Sequence, residues 1–240
     1  MTVALLASVY DENTRKVYAQ LKDLGFQVVN DPEEFVRRIS GADRIIVASH
    51  GERDKILVGG LSAVTPSNVY VLYGKDGFLI LCLAGSYLIP YAAWSAKRNG
   101  RKLKILAFTD RFVFVTDERY PAERDPYLSL IMRPVRAVVT FLKEGGSLEE
   151  ALEVWRRECE EAIKEASSSL DPVMLMAAGN VRHNMYSLKL FDSENPKPWL
   201  GTGVPQLPWW VEVLPAVILA FLAAFVEVME AYKEAERAAR

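Results

Sequence analysis

The sequence predicts an α/β protein in which a mostly parallel sheet is flanked by helices. Three observations carry that expectation. Apolar runs of strand length alternate with helix-spaced segments over the first half of the chain. Strand, helix, strand at this spacing requires parallel strands joined by crossover helices. The 240 residues are 50% hydrophobic and 25% charged, the balance of a globular protein that can hold a core without disulfides or metal. Net charge is -2 with both signs spread along the chain, so the concentrated basic face of a nucleic-acid binder is not expected.

Residues 3–9 form the first apolar run and end in Tyr10-Asp11-Glu12. The run is short and has no basic leader, so it reads as a first strand and not as a signal peptide. Residues 13–24 follow with helical spacing at Val17, Leu21 and Leu24, closed by Gly25 as C-cap. Residues 26–29 read as a second strand. Asp31 as N-cap and Pro32 at the first position predict a helix over 32–39. Residues 45–48 are the third strand. Residues 52–73, rich in glycine and β-prone pieces, predict small hairpins or short strands.

A fourth strand over 78–81 runs directly into Cys82, and a helix over 87–98 is stopped by Asn99-Gly100. A strand over 103–108 ends at Thr109-Asp110, and residues 111–125 predict an irregular, exposed loop. A helix over 127–142 is expected to bend or start near Pro134. The helix over 147–167 has a capping box, Ser147 with Glu150, and an apolar face of Leu148, Ala151, Trp155, Cys159 and Ala162. That face predicts a packing role for Cys159. Residues 171–184 predict one more short strand, with His183 in a polar loop.

The expected organisation is an α/β domain over 1–190, a proline-rich linker over 191–212, and an apolar C-terminal helix with a charged tail over 213–240. Residues 213–226 carry no charge. As a helix they cover about 21 Å, short of the hydrocarbon core of about 30 Å. Extended from Trp209 to Met229 the segment reaches spanning length, with Trp209-Trp210 as an interfacial belt. Two roles are therefore expected for it: packing on protein, including a second copy of the chain, or contact with a membrane. The two cysteines have no Cys-x-x-Cys spacing and there are only two histidines. That predicts free thiols, a reducing cytoplasmic location, no metal site and no cofactor.

The chemistry concentrates at two strand ends. The third strand ends in Ser49-His50-Gly51 and the fourth in Cys82. In an open parallel sheet, functional residues gather beyond the carboxyl ends of the strands. Neighbouring strands lie about 5 Å apart, so His50 and Cys82 would face one cleft. An imidazole beside a thiol takes its proton and later protonates a leaving amine. Gly51 permits a tight turn, and its N–H with that of Cys82 can hold a developing oxyanion.

This pattern resembles the cysteine proteases of the caspase-like fold, a group that includes caspases, legumains, gingipains, separases and CHAT-domain proteins. The segments that carry the resemblance are "IIVASHG" and "FLILCLAGS", an apolar strand ending in His-Gly followed by another ending in Cys. "SHGERDKILVGG" is similar to the His-Gly, turn and hairpin of several members, and the resemblance spans roughly residues 1–180. It implies a three-layer caspase-like domain, Cys82 as nucleophile, His50 as its partner, and Gly51 as the oxyanion-hole glycine. It also implies a protein or peptide substrate. Members that cut after Arg or Lys place acidic residues around the first specificity pocket, a role in which Asp110 would bind substrate. The loop over 116–125, with Arg119 and Arg124, becomes a site for self-cleavage by the same analogy. Leu81 departs from the group's usual small or acidic residue before the cysteine, and the segment from His50 to Cys82 is shorter than in caspases.

A second reading comes from a different class. The same strand order suits a catalytically idle caspase-like module, or a Rossmann-like sensor, anchored or oligomerised by the C-terminal helix. A standard dinucleotide site is disfavoured, because "SVYDENT" after the first strand has no glycine-rich phosphate loop.

Overall fold

The computed structural model describes residues 1–195. The expected C-terminal helix and nearly all of the expected linker lie outside these residues. Nine strands and six α-helices are described, in the order β1 (Val3–Ala7), α1 (Glu12–Ala19), β2 (Gln27–Val28), α2 (Pro32–Ser40), β3 (Arg44–Ala48), β4 (His50–Glu52), β5 (Lys55–Val58), β6 (Leu61–Val64), β7 (Asp76–Ile80), α3 (Leu88–Arg98), β8 (Lys104–Phe108), α4 (Pro126–Lys143), α5 (Leu148–Ser167), α6 (Pro172–Ser187) and β9 (Leu188–Asp192).

The main sheet has the order β2-β1-β3-β7-β8-β9. Every pairing is parallel except β8 with β9, which is antiparallel. Alternate side chains along each strand feed two cores, as the period of two demands. Ile46, Phe78, Leu106 and Phe108 pack with α4, α5, α6 and part of α1. Ile45, Val47, Leu79 and Ile105 pack with α2, α3 and the small sheet. That sheet, β4-β5-β6, is antiparallel and matches the hairpins expected over 52–73 as far as Val64, whereas Val69–Leu72 is a 3-10 helix and not a strand. Helices therefore cover both faces of a mostly parallel sheet.

Local rules account for most boundaries. Asp31 accepts from the Glu34 N–H and Pro32 opens α2. Gly25 closes the short 3-10 turn after α1 at φ +91°, a left-handed conformation suited to glycine. The Ser147–Glu150 capping box opens α5. Cys159 sits at 0% exposure on its buried face, where desolvation raises its thiol well above the ordinary range. Helix α4 runs through Pro134 without interruption.

Two further expectations are corrected. Residues 171–184 are not a strand: they lie within α6, capped by Asp171, whose carboxylate accepts from the Val173 N–H, with Pro172 at the first position. Met, Leu and Ala there favour helix, but the unbroken apolar run over 172–178 followed by Gly179 hides the helical period. His183 is accordingly a helix residue and not a loop residue. The last strand, β9, comes after α6 and spans Leu188–Asp192. Among the described residues no helix is long and apolar enough to cross a membrane.

Candidate active site

The chain leaves β1 toward β2 on one side and crosses to β3 on the other. The carboxyl ends of β1 and β3 thus form the switch point of the sheet, where ligands bind in open α/β folds. Asp11 follows β1 at this point and His50 follows β3. Pairing of β3 with β7 along Ala48 and Ile80 brings the Cys82 segment alongside. His50 and Cys82 both line one cavity of about 120 Å3, with Thr14, Val17, Ile80 and Phe114 among its walls.

The loop after β1 is held in place. The Asn30 amide oxygen accepts from the Val9 N–H at 2.8 Å and its nitrogen donates to the Val9 carbonyl at 2.9 Å. This fixes the approach to Asp11, which caps α1 by accepting from the Thr14 N–H at 2.8 Å. The Asp11 carboxylate also accepts from His50 Nε2 at 2.6 Å. Burial pushes the Asp11 carboxyl up, but the Thr14 N–H, the Thr14 hydroxyl and His50 outweigh it and hold the group below its usual value. The Tyr10 ring meets His50 edge-on at 5.5 Å. Asp11 was not singled out by sequence reasoning. Sequence reasoning reads it only as the polar end of the first apolar run.

Gly51 approaches the Cys82 backbone. A β-carbon at position 51 would lie 2.5 Å from both the Cys82 carbonyl oxygen and Leu81 Cδ1. Glycine is required here by contact, and Leu81, at 1% exposure, fills the space beneath it. After Cys82 the chain turns sharply. Leu83 has φ +59°, the one non-glycine residue at positive φ among the described residues. A branched side chain in that region carries strain of about 1–2 kcal/mol. Its N–H donates to the Asp110 carbonyl at 3.1 Å, and the Ala84 N–H returns to the Cys82 carbonyl at 2.7 Å.

Residues 111–115 run beside the thiol, with Phe112 and Phe114 lining the same cavity. Cys82 Sγ lies 4.0 Å from the Phe112 carbonyl. Burial raises the Cys82 thiol above its ordinary value, against the pull of the Arg111 charge. This strap of residues 111–115 is clamped by Asn184, 1% exposed, which accepts from the Val113 N–H at 2.9 Å and donates to the Val113 carbonyl at 2.8 Å. His183 Nε2 donates to the Arg111 carbonyl at 3.0 Å.

Asp110 stands beside the Cys82 turn but does not line the cavity. Its carboxylate accepts from the Arg111 N–H and lies 4.0 Å from His183 Nε2. In the loop over 116–125, Arg119 is tied to Asp117 by paired contacts. A wider groove of about 810 Å3 opens between the end of α1 and α4, with none of the expected site residues in its walls. In its walls Lys22 pairs with Glu123 and Arg136 with Asp23. Among the described residues no group of three side chains is placed to hold a metal ion. Comparison with family models, with curated proteins and with solved structures returns no match for the chain.

Proposed function

We propose that this chain is a caspase-like cysteine peptidase. The observation that carries the reading is the parallel pairing of β3 with β7, which brings His50 and Cys82 onto one cavity with Asp11 behind the imidazole. Cys82 Sγ attacks the scissile carbonyl while its proton passes to His50. The tetrahedral oxyanion is held by the N–H groups of Gly51 and Cys82. The C–N bond breaks, His50 protonates the departing amine, and water activated by His50 releases the acid and restores the thiol. Asp11 keeps Nε2 occupied, which leaves Nδ1 for the reacting proton. Asp110, beside the Cys82 turn, is placed to meet a group at the rim.

A second reading is favoured by one observation: Cys82 Sγ lies 4.0 Å from the Phe112 carbonyl, and burial raises the thiol above its ordinary value. That suits a catalytically idle module working through its surfaces. Digestion of a peptide mixture separates the two. A peptidase produces new termini that vanish in Cys82→Ala and His50→Ala and persist in Cys159→Ala. Cleavage that survives Cys82→Ala, or no cleavage by the wild type, contradicts the proposal.

A further inference from the structure

We infer that the cavity between His50 and Cys82 is a specificity pocket for a small aliphatic side chain of the substrate, at the position that supplies the scissile carbonyl. The inference rests on the peptidase reading of the same site. Its walls are apolar or neutral: Val17, Ile80, Phe112 and Phe114, with Thr14 and Asn13 toward α1. Apart from His50 and Cys82, which do the chemistry, no titratable side chain lines it. An arginine or lysine side chain entering it would find no carboxylate, and an aspartate no cation. An unpaired charge in such a site is strongly disfavoured.

Size narrows the class further. The cavity measures about 120 Å3. An apolar cavity of about 150 Å3 holds a benzene-sized ligand, so this one admits alanine, valine or leucine and excludes tryptophan. Val17 and Phe114 set its dimensions. Val17 projects from α1, the helix capped by Asp11, and Phe114 lies on the strap beside Cys82. Substrate selection and the His50–Asp11 pair are thus built from the same helix.

The test uses acetyl-Ala-Ala-X chloromethyl ketones, with X as Ala, Val, Leu, Phe, Arg or Asp. In each, Cys82 sulfur bonds to the methylene carbon, chloride leaves, and the thiol proton passes to His50. Labelling of Cys82 is followed by mass spectrometry and divided by the iodoacetamide rate of the same protein, which reads thiol reactivity without the pocket. Val and Leu are expected to label faster than Arg and Asp by about 10-fold or more. Val17→Phe, which fills the cavity, should abolish that advantage. Phe114→Ala, which enlarges it, should move the preference toward Phe. Equal rates for all X, or fastest labelling with Arg or Asp, overturn the inference while leaving the dyad intact; an Arg preference would move the pocket to the Asp110 side. Iodoacetamide labelling indifferent to His50→Ala overturns the peptidase reading and this inference together.

Discussion

Asp11 serves two partners at once, and substitution can separate them. Its carboxylate caps α1 through the Thr14 N–H at 2.8 Å and accepts from His50 Nε2 at 2.6 Å. Asn is as good an N-cap as Asp, whereas Ala loses the cap at a cost of about 1 kcal/mol. The contact with His50 is between side chains 31% and 38% exposed, so solvent screens it to about 0.5–1 kcal/mol. Asp11→Asn should therefore cost about 0.5–1 kcal/mol and Asp11→Ala about 1.5–2 kcal/mol. For a domain of this size that is a fall in Tm of about 2–4 °C per kcal/mol, read by circular dichroism. The pH dependence has a definite sign. Asp11 is a carboxyl held below its usual value when folded. Its contribution is complete above the unfolded value, about pH 4, and is lost as pH falls through the depressed folded value. The gap between wild type and Asp11→Asn should close in that acid range. Both variants should slow Cys82 alkylation by about 10-fold, part of the 10²-fold or more that a positioned base supplies. Equal destabilisation by Asn and Ala, or unchanged alkylation in both, would refute this division of roles.

Three further outcomes follow from the site. Gly51→Ala drives a β-carbon into the Cys82 carbonyl and Leu81, and should cost about 1–3 kcal/mol in denaturant melts; a neutral effect would show that the contact gives way easily. Asn184→Ala removes both bonds to Val113 from a buried clamp and should cost about 1–3 kcal/mol while speeding Cys82 alkylation; unchanged alkylation would remove the strap from the account. Leu83→Gly relieves the left-handed strain and should be neutral or stabilising by up to about 1 kcal/mol in thermal melts, whereas marked destabilisation would mean that the Leu83 side chain matters more than its backbone.

Much of the fold was legible because its signals are local. Asp31-Pro32, Ser147 with Glu150, Gly25 and Asn99-Gly100 mark helix ends through backbone hydrogen bonding that depends on a few neighbouring residues. Strands β1, β3, β7 and β8 are buried on both sides and read as continuous apolar runs. The failures are where local signals weaken. The first half of α6, residues 172–179, is an unbroken apolar run without a 3.6 period, and β9 follows the helix with no turn residue between them. At the site, His50 and Cys82 were visible because each stands where an apolar strand ends. Asp11 and Asn184 were not, because their partners lie 39 and 71 residues away and depend on strand order.

The most direct test of the central proposal is the pH profile of Cys82 alkylation by iodoacetamide, in wild type and His50→Ala, with peptide mapping to separate Cys159. The account predicts that wild type is alkylated at neutral pH about 10²-fold faster than His50→Ala, because His50 takes the thiol proton. In His50→Ala only the increase at high pH expected of a thiol raised by burial should remain. Superimposable profiles in the two proteins would contradict the dyad and leave Cys82 as a half-buried thiol in an interaction module.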